Sequence, residues 1–172
     1  GGIVGEIFFR GKAYSDMSEA EFSRFRNRNI GFVFQFHHLL GEFTALENVM
    51  MPLLIDRKTK AEAEDIAVQR LKELGLQDRM HHKPSELSGG EQQRVAVARA
   101  LANSPDMVLA DEPSGNLDEK TGRMLTDLLW QLCREKGHGF VIVTHNLELA
   151  SAADRLIEMR DGSVINSKKL TV

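Results

Sequence analysis

Met107-Val108-Leu109-Ala110-Asp111-Glu112 is an apolar run that ends in two adjacent carboxylates. A short apolar run of this kind reads as a buried strand. In an open α/β sheet, ligands gather outside the C-terminal ends of such strands. Successive side chains of a strand point to opposite faces, so the two carboxylates have different surroundings. Asp111 suits Mg²⁺, held directly or through water, and Glu112 suits a general base that polarises an attacking water. Taken alone, the run describes an ordinary strand meeting solvent equally well.

Downstream, Glu119 to Lys136 carries Met124, Leu125, Leu128, Leu129 and Leu132 at helical spacing. It is followed by Phe140-Val141-Ile142-Val143-Thr144-His145, a second buried strand, which ends in a histidine. Strand, helix, strand in this order predicts a parallel βαβ unit. Between the carboxylates and the helix, Pro113-Ser114-Gly115-Asn116-Leu117-Asp118 is a turn whose last residue suits a helix N-cap. A lone strand-ending His145 is usually structural or solvent-facing, and the turn alone is only a turn.

Upstream lies Leu87-Ser88-Gly89-Gly90-Glu91-Gln92-Gln93-Arg94. Ser88 and Glu91 have the spacing of a capping box, which leaves the two glycines between them unexplained. Glycine weakens a helix by roughly 1 kcal/mol relative to alanine, so a phosphate approaching the helix N-terminus is the better account of the pair. Ile30-Gly31-Phe32-Val33-Phe34 lacks clean alternation, as for a strand buried on both faces, and stops at Gln35, whose amide can reach a metal or water.

The rest of the chain supplies the frame. Ile3 to Phe9 is β-rich and ends at the turn Arg10-Gly11-Lys12, and Ser18 caps a helix that carries Phe22 and Phe25. The residues from Thr44 to about Asn103 read as helical: Ala45 to Ile55, Lys60 to Leu74 closed by Gly75, then a helix from near Gly89. Arg155 to Met159 and Ser163 to Asn166 form a hairpin on Asp161-Gly162. With 172 residues, 42% of them hydrophobic, the chain can bury a real core, and its net charge of −3 disfavours a nucleic-acid partner. The single Cys133 reads as core and forms no internal disulfide, so a cytoplasmic setting is expected. The longest apolar run, Val49 to Ile55, contains Pro52 and is too short to span a bilayer, so any membrane role comes through a partner.

In this order the motifs resemble those of the ATP-binding subunits of ABC transporters, over essentially the whole chain. The resemblance implies that Gln35 is the Q-loop glutamine, Leu87 to Gln92 the signature motif, Asp111 and Glu112 the Walker B pair, Ser114 to Asp118 the D-loop and His145 the switch histidine. It implies Glu112 and His145 as catalytic residues and Asp111 and Gln35 at Mg²⁺. Gln35, Ser88, Gly89, Gly90, Gln92 and Asp118 become contacts to ATP, the signature acting on nucleotide held by a second ATPase subunit. The implied fold is α/β: a P-loop NTPase-like core, an antiparallel β subdomain and a helical subdomain. Residues 1–43 supply part of the β subdomain and the Q-loop strand, 44–105 the helical subdomain, and 106–172 the rest of the core and the hairpin. The implied partners are integral-membrane transporter subunits and a second copy, with the protein peripheral on the inner face of the membrane. The stretches Phe34 to Leu40, Phe43 to Val49 and Asp111 to Asp118 narrow the resemblance to the lipoprotein-release and macrolide-export group, although Ser114 stands where threonine is common there.

A phosphate-binding P-loop needs Gly, four residues, then Gly-Lys-Ser or Gly-Lys-Thr, and no such run occurs in the 172 residues. Gly11-Lys12 is followed by Ala13 and has Glu6 where the first glycine belongs, so it reads as a hairpin turn. The expectation is therefore an N-terminally truncated domain without Walker A, not a competent ATPase alone, with apolar faces around Val108 and Val141 left uncovered. The alternatives are a soluble non-transport ABC ATPase and a non-catalytic module that lends its signature to a partner.

Overall fold

The computed structural model describes residues 5–170. Near the N-terminus, β1 (Phe8–Phe9) and β2 (Lys12–Ala13) pair as an antiparallel hairpin. Arg10 and Gly11 form its turn with φ of 51° and 79°, the left-handed pair that a tight two-residue hairpin requires. The expected strand from Ile3 is thus shorter, and Ile3 and Val4 lie outside the described residues. α1 (Glu19–Asn29) then leads directly into β3 (Ile30–Val33).

Three helices follow: α2 (Ala45–Ile55), α3 (Lys60–Glu73) and α4 (Gly89–Leu101). They pack on one another through Leu46, Val49, Leu53, Ala63, Ala67, Leu71 and Val95, all buried. β4 (Met107–Asp111), α5 (Glu119–Lys136) and β5 (Gly139–Val143) complete a three-stranded parallel sheet in the order β3-β4-β5. The short α6 (Leu147–Ser151) precedes a second antiparallel hairpin, β6 (Arg155–Arg160) and β7 (Ser163–Lys169), which turns on Asp161 and Gly162, both at positive φ.

The sheet and helices are held close by one glycine. A Cβ on Gly31 would lie 2.4 Å from the Ala100 carbonyl oxygen, so only glycine lets α4 rest against β3. β3 is not buried on both faces as expected: Gly31 and Val33 are buried, whereas Ile30 and Phe32 are half-buried. The expectation of uncovered apolar faces divides in the same way. Val108 is 1% exposed, in one core with Leu101 of α4 and Leu125 and Leu129 of α5, so it is covered. Val141 is 49% exposed and Val143 62%. The register explains this: Val141 is opposite Leu109, not Val108, and therefore points to the other face of the sheet. Cys133 is half-buried rather than buried, and burial raises its thiol pKa, which disfavours a reactive thiolate.

Candidate functional site

The carboxylates sit where β4 ends. The ladder between β4 and β5 continues one residue past the strand, because the Glu112 backbone N–H donates to the Val143 carbonyl at 2.8 Å. Glu112 itself has φ of 44°, a left-handed conformation uncommon for a residue with a side chain. The turn that follows is closed by the Gly115 N–H donating to the Glu112 carbonyl at 3.0 Å.

This geometry brings the Glu112 carboxylate to the end of β5. Oε1 accepts from the His145 backbone N–H at 2.8 Å and lies 2.7 Å from His145 Nδ1, and Oε2 accepts from the Thr144 hydroxyl at 3.0 Å. The acid is thereby fixed, with a side chain 20% exposed against 82% for that of His145. Asp111, opposite Val143 in the register, is exposed and makes no ion pair among the described residues.

Gln35 joins this group through the turn after Glu112. Its Nε2 lies 3.3 Å from Asn116 Oδ1, and Asn116 Nδ2 donates to the Gln35 carbonyl at 3.0 Å. A Cβ on Gly115 would stand 3.0 Å from Gln35 Nε2 and 3.3 Å from Glu112 Cβ, so the glycine is the floor on which the two side chains meet. The far end of the same turn leads to Asp118, which caps α5. Its Oδ1 accepts from the Thr121 N–H at 3.0 Å and its Oδ2 from the Thr121 hydroxyl at 2.6 Å, the latter chiefly holding the carboxyl below its usual range.

Ser88 caps α4 in the expected box: its hydroxyl accepts from the Glu91 N–H, and Glu91 Oε2 accepts from the Ser88 N–H at 2.8 Å. The same box opens α1, α2 and α3, at Ser18, Thr44 and Thr59. It is therefore a helix-starting device of this chain and by itself signals no ligand. The glycine pair also finds a partly internal explanation. A Cβ on Gly90 would lie 2.5 Å from Thr121 Cγ2, whereas one on Gly89 would meet only Leu117, at 3.8 Å. Packing against the start of α5 thus accounts for Gly90 without a phosphate, and Gly89 alone keeps open space. Gln92 spends its amide on the Pro84 and Leu87 carbonyls, each 3.0 Å away, and so braces the loop before α4.

The segment from Glu112 to Thr121 links the two groups: Gln35 and the His145-bound Glu112 meet at Gly115, and Gly89 and Gly90, which follow the Ser88 cap, lie against Leu117 and Thr121. Sequence reasoning missed Thr144 and Asn116, neighbours of predicted residues whose short polar side chains were the available signal. It also missed a clamp on the segment after Gln35. Arg99 of α4 donates to the His37 and His38 carbonyls at 2.8 and 2.7 Å, and Gln93 to the Phe34 carbonyl at 3.2 Å. Asn48 of α2, fully buried, bonds both the N–H and the carbonyl of Leu40. An arginine inside Val95-Ala96-Val97-Ala98-Arg99-Ala100-Leu101 was the signal for the clamp. His37 is held below its usual pKa by burial.

The described residues contain no group of three or more His, Cys, Asp or Glu able to hold a metal ion. An exposed carboxylate at the end of β4 and an amide after the end of the neighbouring β3 fit Mg²⁺, which commonly takes one or two carboxylates and completes its shell with phosphates and water.

The family described as "ABC transporter" matches residues 2–115. The chain is 54% identical over 161 residues to the lipoprotein-releasing system ATP-binding protein LolD of Syntrophus aciditrophicus (strain SB), covering 94% of this chain and 72% of that protein. Among solved structures it is similar to a dimeric post-hydrolysis state of the ATP-binding cassette MJ0796 bound to ADP and Pi. The TM-score is 0.87 at 41% identity, over 98% of this chain and 74% of the other. A second structure, of dimeric MJ0796 described as a bacterial ABC transporter cassette, matches with the same values.

Proposed function

The chain belongs to the ABC transporter family of ATP-binding domains, and from that premise we propose that it is the part of a lipoprotein-releasing ATPase subunit that activates water and signals to the opposite subunit. The observation that carries this reading is the Glu112 carboxylate, aimed and held by three donors from Thr144 and His145 at the end of β5. The 54% identity to a lipoprotein-releasing ATP-binding protein supports the substrate class.

In this reading Glu112 takes the proton of the water that attacks the γ-phosphate of ATP. His145 and Thr144 hold the carboxylate so that one lone pair faces the water. Asp111 and Gln35 hold Mg²⁺, which would supply neutralisation of phosphate charge. Ser88 and Gly89 offer the start of α4, through the Ser88 hydroxyl and the Gly89 N–H, to nucleotide bound by a second copy. Gly90, Gln92 and Asp118 act by shaping that surface: Gly90 admits Thr121, Gln92 braces the loop and Asp118 caps α5. ATP closes two copies around it, and closure drives integral-membrane subunits that hold the protein on the inner face of the membrane. No helix among the described residues is long and apolar enough to cross the membrane itself. Residues 1–43 and 106–172 supply the nucleotide-facing core and β elements, and 44–105 the helical subdomain that meets the membrane partner.

The phosphate cradle is the one part this reading does not locate, since no Gly-x₄-Gly-Lys-Ser/Thr run occurs in the chain. The test is reconstitution of the full-length gene product with its membrane subunits in proteoliposomes. Mg²⁺- and ATP-dependent release of a lipoprotein to an acceptor is expected. Turnover that no membrane subunit stimulates would favour a soluble ATPase instead.

A further inference from the structure

The polarity of the hydrogen bonds around Asn116 has a directional consequence. The Gln35 backbone carbonyl can only accept, so the Asn116 group that meets it at 3.0 Å is Nδ2. Asn116 Oδ1 is then the end that faces the Gln35 side chain, at 3.3 Å, and it can only accept. The Gln35 group that answers it is therefore Nε2, which leaves the Gln35 carbonyl oxygen, Oε1, at the free end of the amide. Gly115 closes the remaining side, because any Cβ there would stand 3.0 Å from Gln35 Nε2.

We infer that Asn116 is a positioning residue: by binding both the backbone and the amide of Gln35, it presents Gln35 Oε1, and not Nε2, to the cation of Mg²⁺–ATP. The inference rests on the proposed role of Gln35. An amide nitrogen offers a cation no lone pair, so the wrong end at this position removes a ligand. Asn116 belongs to the turn that begins at Glu112 and ends at the cap of α5. Displacement of that turn therefore releases Gln35, and the metal ligand is present only while the turn is seated.

The test is a double-mutant cycle in the full-length protein with two readouts. In the nucleotide-free protein, the ¹⁵N-labelled side-chain amide of Gln35 is followed by NMR. Asn116→Ala is expected to speed exchange of its protons with water about 3- to 10-fold, the size of one modest hydrogen bond, with the backbone spectrum outside the turn unchanged. Unchanged exchange overturns the inference, whatever the activity. For ATP hydrolysis, the half-saturating Mg²⁺ concentration is expected to rise about 3- to 10-fold in Asn116→Ala. It should rise at least as far in Gln35→Ala, and no further in the double variant. Additive effects in the double variant mean that Asn116 acts on structure and not through Gln35, which overturns the proposal. If Gln35→Ala leaves the Mg²⁺ dependence untouched, the reading of Gln35 as a metal-facing group falls, and the inference falls with it.

Discussion

His145 Nδ1 lies 2.7 Å from Glu112 Oε1, across the ends of neighbouring parallel strands. The carboxylate is seated, its orientation fixed by β5, as the general base proposed above requires. Replacing Glu112 with Gln keeps the shape and removes the basic oxygen. It is expected to lower kcat by about 10²- to 10⁴-fold while ATP binding is retained. Thr144→Val removes one of the donors and should cost at most about tenfold. Steady-state kinetics on the full-length protein, with nucleotide binding measured separately, checks both.

Gly90 separates packing from ligand contact. Gly90→Ala places a methyl group 2.5 Å from Thr121 Cγ2 and is expected to destabilise the fold by about 1–3 kcal/mol. Thr121→Ser deletes that Cγ2 but keeps the hydroxyl that Asp118 accepts from. The double variant should regain most of the loss in chemical denaturation. A Gly90→Ala protein of normal stability that has lost only turnover would show that the glycine serves the nucleotide.

The box at Ser88 has a pH signature. The Ser88 backbone N–H, then its hydroxyl and Arg79, hold the Glu91 carboxyl at about 2 in the folded protein, against an ordinary 4.5. A carboxyl depressed on folding stabilises fully above its unfolded pKa, and that stabilisation is lost as pH falls through the folded value. Glu91→Gln should therefore cost about 1 kcal/mol near neutrality. The difference from wild type should shrink between pH 4.5 and 2, as denaturation midpoints across that window will report.

Arg99 pins the backbone after Gln35. Its replacement by Ala is expected to speed hydrogen exchange in residues 36–39 by tenfold or more, given two charge-assisted bonds of about 1.5 kcal/mol or more each. The Leu40 amide should stay protected, because Asn48 Oδ1 holds it independently at 2.8 Å. Amide exchange followed residue by residue by NMR distinguishes the two.

The elements of the fold were legible because they follow from local rules. Ser18 and Ser88 with a glutamate three residues on mark helix starts, Arg10-Gly11 and Asp161-Gly162 mark turns, and the apolar runs at Met107 and Phe140 mark strands. What was illegible depends on register and on long-range contact. That Val108 is covered while Val141 is bare follows from which residue each one faces across the sheet. The meaning of Gly90 depends on Thr121, and that of Gln35 on Asn116, 81 residues away in sequence. The order of the motifs revealed the family, whereas the partners that aim each side chain needed the fold.

The most direct test of the account is Mg²⁺-dependent ATP hydrolysis by the purified full-length protein, wild type against Glu112→Gln, each with and without its membrane subunits. Turnover that the membrane subunits stimulate is expected, falling at least about 100-fold in Glu112→Gln with ATP still bound. Equal turnover by the two proteins would contradict it.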